Sequence, residues 1–440
     1  MIMLPRTPYK QFKVIGAIAI STGLILSGLN FPASAAPITS YSGHLGNSYS
    51  DRTKVLTPKW QTSVDYVADG PMSAAADNGM VFYTLQNKLT AANVNTGKVV
   101  WSSSSKRISN LIASNNAVFY VDSTGTLLKL NGQTGKVGWT VKSAIAVKAD
   151  IDVQVFLQSG TLYVVGFNQF AAYDVQSGKK KWQIKPRSTY GFDLSGVHDG
   201  VVLTSALVDE NPANQYAAYD AATGKLLWTL AEGHSGILEY RSGTIYTLKE
   251  GTSSGKGYAA TIDQIDVKTG KILSSYSYIP VKDVVNQSAR QVVIDGTTIY
   301  IVQELSDSNS RVSEFVLGQD PAKQTPKVTE GRGLWLAGVY KGLHFYEDND
   351  QLVARKVNSD DYTPFLGPNN PINRLDLIGN GAYVGLTDGQ FYLTNALTGK
   401  VTGKIKTAAR SFGTTLVEKN TVIIQAENKL IAVQLPVGLQ

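Results

Sequence analysis

Beyond residue 73 the apolar residues arrive in short runs bounded by Gly, Asn, Asp, Ser or Thr, and no stretch keeps a helical period. Runs such as AVFYVD (117–122) and TLYVVG (161–166) are apolar on both faces of an extended chain, which suits strands in the middle of a sheet packed on two sides. KKWQI (180–184) instead sets a single Trp among polar residues and reads as a different kind of strand. The order recurs: a first apolar strand, a second, a third such as AAYD, a Thr/Ser-Gly-Lys turn, and a fourth strand carrying Trp. Four copies are plain, AANVNTGKVVWS (91–102), KLNGQTGKVGWT (129–140), AAYDVQSGKKKWQI (171–184) and AAYDAATGKLLWTL (217–230).

The turn glycines Gly97, Gly135, Gly178, Gly224 and Gly270 are 38, 43, 46 and 46 residues apart, and Gly399 marks a later copy. A period near 40–45 residues is the signature of four-stranded propeller blades. Residues 271–398 hold two degenerate units and most of a third. The last unit, TVIIQAENKLIAVQL (421–435), supplies a second and a third strand and then stops. LTPKWQTSV (56–64) has the Lys-Trp and alternation of a fourth strand with no third strand before it, so Trp60 is expected to close the ring against the C-terminal strands. The expectation is an all-β propeller of eight blades over 54–436, eight being the usual upper size, with nine as the literal count of units.

The phrase Ala-x-Asp-x-x-Thr-Gly-Lys-x-x-Trp resembles the tryptophan-docking repeat of the quinoprotein (pyrroloquinoline-quinone, PQQ) dehydrogenase-like propeller superfamily, which holds both redox enzymes and non-enzymatic scaffolds. The resemblance implies that Trp101, Trp139, Trp182 and Trp228 stack between neighbouring blades, and ring closure gives Trp60 the same role. Residue chemistry agrees, because Ala172 and Ala218 leave room for a ring and Gly178 and Gly224 suit a turn with positive φ. Ser274 and Gly403 stand at the Trp position of two other units, so those joints are expected to be looser. A redox member would add a divalent metal with acidic ligands, a catalytic carboxylate and, in many cases, a vicinal disulfide. This chain has no cysteine, and the expectation is a non-enzymatic member without cofactor or metal.

Composition adds an address. Arg6, Lys10 and Lys13 precede the apolar run 14–29, and Ala33 and Ala35 provide small positions before a cleavage point, so residues 1–35 read as a secretory signal peptide. Segment 36–53 has little apolar content and reads as a flexible linker. Loss of 1–35 would remove three of the basic residues behind the formal charge of +7. The remaining balance is too mild to argue for nucleic acid. A secreted or wall-associated protein is the expectation, with no membrane span after cleavage.

His44, His198, His234 and His344 stand apart with no paired-ligand spacing, and no phosphate-binding loop occurs. YEDNDQ (346–351) gathers three acids at a turn but lacks the order of a calcium loop. Strand direction sorts the charges better. The turn lysines fall on one face of the ring, whereas Arg107, Arg187, Arg290, Arg332, Arg374 and Arg410 fall in connections between blades on the other. Tyr190 and Trp335, with Phe365 and Phe412, sit in or beside the same connections. Arg107, Arg187, Arg332, Arg374, Arg410, Tyr190 and Trp335 are therefore the candidate binding residues, suited to an acidic protein segment or an anionic envelope polymer. The aspartates nearby offer a plainer use for these arginines, as partners in a solvated rim. The functional expectation is a non-catalytic binding propeller; the alternative is an extracellular enzyme, either a degenerate quinoprotein or a glycan lyase or hydrolase.

Overall fold

The computed structural model describes residues 40–41, 53–66, 73–145, 153–166, 169–185, 193–208, 211–250, 258–280, 289–305, 308–365 and 370–440. Four-stranded antiparallel meanders follow one another at 75–106, 112–142, 154–184, 193–233, 234–280, 289–331, 334–364 and 372–406, called units 1 to 8 below. Unit 9 combines 416–434 with the strand Trp60–Ser63, which pairs antiparallel to Lys429–Gln434 with Trp60 opposite Ala432. Units 4 and 5 share the 16-residue strand Leu226–Arg241 and so form one seven-stranded sheet. The described residues thus make eight hydrogen-bonded sheets out of nine meanders. Both numbers are literal, because one strand ends a meander and begins the next.

What makes these meanders a ring is how their faces are covered. Among the described residues there are nine buried apolar clusters, each drawing on two consecutive units. Tyr163, Phe170 and Trp182 of unit 3 meet Leu194, Val202 and Tyr219 of unit 4. Ile423, Leu430 and Trp60 of unit 9 meet Val81 and Tyr83 of unit 1, which closes the circle. The second and third strands are buried along most of their length, as in Thr161–Gly166, because each sheet is sandwiched between two others.

Two expectations about the N-terminal segment need correction. Within the expected linker 36–53, Ser40 and Tyr41 pair with Asp376 and Leu375, adding a short strand to the inner edge of unit 8. An innermost strand has one row of backbone groups without a partner in its own sheet, and an extended segment satisfies it. Gly403, the Trp position of unit 8, also does not leave a gap: a Cβ built on it would lie 2.5 Å from Leu56 Cγ. Val55 bridges Lys404, and the Leu56 N–H donates to the Lys404 carbonyl at 2.8 Å. Leu56 therefore fills the space that Trp fills elsewhere. Residues 1–39 lie outside the described residues, as does the rest of the linker apart from Thr53.

Candidate functional site

The repeated phrase is a joint whose parts divide the work. The residue that ends the third strand, Asn93, Asn131, Asp174, Asp220, Asp266 or Asn395, accepts backbone N–H groups two and three residues on and the hydroxyl of the Thr or Ser between. For Asp174, Asp220 and Asp266 these bonds hold the carboxyl below its usual range, the hydroxyl bond first. The following glycine has φ near +70° at Gly97, Gly135, Gly178, Gly224 and Gly270. Each of these glycines lies under the Trp of the preceding unit, in the order Trp60, Trp101, Trp139, Trp182 and Trp228, so close that an added Cβ would fall 2.6–2.8 Å from the ring. The indole N–H then donates to a carbonyl in the same turn, Val94, Gly132, Val175, Ala221 or Val267, at 2.8–3.2 Å. A glycine, a ring and one hydrogen bond lock each unit to its neighbour.

The opposite face carries the loops, and there the structure corrects several candidates. Arg107 is 1% exposed. Its Nε donates to Thr84 Oγ1 at 2.9 Å and its Nη1 to the Ser109 carbonyl at 2.9 Å, inside the joint of units 1 and 2. Burial pulls its guanidinium down to about 9, against the attraction of Asp65. Arg374 donates from Nε to Asp376 Oδ1 at 2.9 Å and from Nη2 to Thr414 Oγ1 at 2.8 Å. Asp376 is wholly buried and also accepts the Thr415 N–H at 2.7 Å. Both arginines are thus internal ties, because blade-to-blade connections pass under the rim before reaching solvent. Trp335 is corrected most: it is 1% exposed, on the inner strand Leu334–Tyr340, and packs with Val293, Tyr300 and Tyr346 between units 6 and 7. Phe365 and Phe412 are buried as well. Arg187 and Tyr190 lie outside the described residues.

Trp335 brings a histidine with it. Its Nε1–H donates to His344 Nδ1 at 3.2 Å, which requires that nitrogen to be unprotonated. Burial, with Arg355 and Lys327 nearby, lowers the His344 pKa to about 4. A histidine whose folded pKa is depressed contributes stability that is present above its unfolded pKa near 6.5 and is lost as pH falls toward the folded value. Between those limits the loss expected from this group is about 3 kcal/mol. The melting temperature of the wild type should therefore drop more steeply from pH 6.5 to pH 4 than that of His344→Gln. Parallel profiles would show that His344 does not titrate differently in the folded chain.

Arg332 and Arg410 remain as exposed candidates. Arg332 has a side chain 76% exposed, with Nε 3.9 Å from Asp348 Oδ2. It borders a cleft of about 620 Å³ between the loops of units 6 and 7, lined also by Asn309, Glu347, Asp348 and Asp350. The YEDNDQ turn thus faces an arginine, and Glu347 accepts the Ile372 N–H at 3.0 Å. Arg410 holds its loop through its backbone N–H, donated to Glu427 at 2.9 Å, and leaves its side chain in solvent. Sequence reasoning missed another group on this face. His234 and Asp263 are both wholly buried and 2.9 Å apart, beside Glu232 and Lys249. They are 29 positions apart in the chain, so no local spacing signals the pair.

A closed ring of four-stranded meanders joined by indole-on-glycine contacts defines a PQQ-like β-propeller. A family model described as "Outer membrane protein assembly factor BamB" matches residues 53–151 and 144–361, and the chain belongs to that family. Among solved structures, BamB from Moraxella catarrhalis is similar at 12% identity over 86% of this chain and 100% of that one, with a TM-score of 0.44. Quinohemoprotein alcohol dehydrogenase from Comamonas testosteroni is similar at 12% identity over 92% and 81%, with a TM-score of 0.46. The computationally designed Ika8 protein is similar at 13% identity over 74% and 95%, with a TM-score of 0.49. No curated protein matches the chain.

Proposed function

We propose that this chain is a secreted or envelope-associated, non-catalytic propeller that holds a protein partner on its loop face. The observation that carries the proposal is the mixed-charge cleft of units 6 and 7, where exposed Arg332 stands against Asp348 and Asp350. A surface presenting both signs within one cleft suits a polypeptide segment with its own donors, acceptors and charges better than a uniformly anionic polymer. The rigid joints support the reading from the other side, since Arg107, Arg374 and Trp335 are spent on holding the blades. The family description, an assembly factor, points to the same kind of role. Among the described residues no helix is long and apolar enough to cross a membrane.

The test is capture of partners from envelope extracts by the purified protein. Arg332→Ser with Arg410→Ser should lose most of the captured protein, and raised salt should mimic the loss because exposed charges are screened over about 8–10 Å. Lys98→Ser with Lys136→Ser removes the same two charges from the opposite face and should leave capture intact. Equal losses in the two variants would mean that only net charge matters. Retention of wall polymer in place of protein would reassign the partner.

A further inference from the structure

Glu232, His234 and Asp263 have one ligand atom each within 4.8 Å of one another, and nothing in the proposed binding role uses them. Glu232 and His234 lie on the shared strand Leu226–Arg241, and Asp263 lies on the third strand of unit 5, Tyr258–Asp266. His234 Nδ1 is 3.1 Å from the Glu232 carbonyl oxygen. Carbonyl and ionised carboxylate oxygens both only accept, and a neutral ring carries one hydrogen; with that hydrogen on Nδ1, Nε2 turns its lone pair toward Asp263 Oδ2 at 2.9 Å. A bare imidazole lone pair against a carboxylate is repulsive, and the pair is held together only when a cation lies between them or beside them. A proton on Nε2 meets that need, and so does a metal ion.

The surroundings match a metal site in three further ways. A ring whose distal N–H is fixed on a backbone carbonyl is the usual support of a histidine ligand. Asp263 is itself oriented from behind by the Ser275 hydroxyl, and the Tyr216 ring stacks on the imidazole with centroids 5.8 Å apart. His234 and Asp263 are closed to solvent, but Glu232 has a side chain 50% exposed, which gives an entry path. Lys249 Nζ now sits 2.6 Å from Glu232 Oε2, and its side chain is 27% exposed. Its ammonium occupies the mouth as a cation and can swing into water.

We infer that His234 Nε2, Asp263 Oδ2 and the Glu232 carboxylate form a site for a zinc-class divalent cation, entered from the loop face by displacement of Lys249. Bonds of about 2.0–2.2 Å to one imidazole and two carboxylates leave a fourth position for water, and the two carboxylates neutralise the ion. Bound there, the ion ties the strand shared by units 4 and 5 to the middle of unit 5.

Titration of the protein with Zn²⁺ in a calorimeter should show one saturable site, with Co²⁺ giving the visible absorption of a tetrahedral nitrogen–oxygen site. Glu232→Gln, at a half-exposed position, and His234→Gln should each weaken binding by about tenfold or more. Lys249→Met removes the competing ammonium and should tighten it. Should His234→Gln fail to fold, Glu232→Gln and Lys249→Met decide by their opposite shifts. Absence of a saturable site in the wild type, or affinity unchanged in both of these variants, overturns the inference and leaves His234 and Asp263 as a hydrogen-bonded pair.

Discussion

Removing residues 54–64 should unfold the whole propeller at temperatures where the intact protein is stable, although the deletion takes only a tip of the chain. That segment does two jobs. Trp60–Ser63 is the outer strand of unit 9, and Trp60 covers Gly97 of unit 1 and donates to the Val94 carbonyl. Leu56 fills the Trp position at Gly403, and the bridge from Val55 to Lys404 fastens it to unit 8. Lys59 adds bonds to Asn95 and Thr421, which stand on different units. Two of the ring's joints are lost together, and an uncovered blade exposes both an apolar face and a strand edge. Deletion of 36–53 removes the Ser40–Tyr41 pairing and should lower the melting temperature far less. Thermal melts of the two truncations check this; equal losses would mean that the ring does not depend on its closing strand.

Trp182→Ala and Trp228→Ala should each destabilise the protein by about 3–5 kcal/mol, the range for emptying a buried aromatic site. The rings are 6% and 9% exposed. Trp182 meets Phe170 edge-on with centroids 5.1 Å apart and also touches Tyr163. Its indole N–H bond to the Ala221 carbonyl is lost with it. The turn glycine underneath cannot grow to fill the cavity, because Gly224 has φ +72° and an L side chain there is strained. Chemical denaturation reads the loss directly. A cost below about 1 kcal/mol at both positions would mean that neighbouring units hold together without the docked ring.

The joints could be read from the chain because their parts recur as one short phrase. The Asp or Asn, the Thr or Ser, the glycine and the Trp of one copy fall within eleven residues, and the repeat itself brings each Trp onto the glycine of the next copy, as Trp182 onto Gly224. Closure by Trp60 was legible too, since the last unit lacks one strand and the segment before the first unit has one to spare. Face assignment of the arginines was legible only as topology. Whether a blade-to-blade connection leaves a side chain in solvent or draws it under the rim depends on the neighbouring unit, about forty residues away. Arg107 found Thr84 and Arg374 found Thr414, neither of which the alternation of a single strand announces.

Leu56 in place of a docking Trp shows the same limit from the other side: Gly403 reads as a gap until a distant segment is laid over it. Repeat, strand order and docking phrase are legible in residues a few positions apart, and the period then carries each Trp to the glycine of the next unit. Which charges are internal ties and which stand in solvent came only from the tertiary structure, because burial and pairing of a charge are properties of two blades in contact.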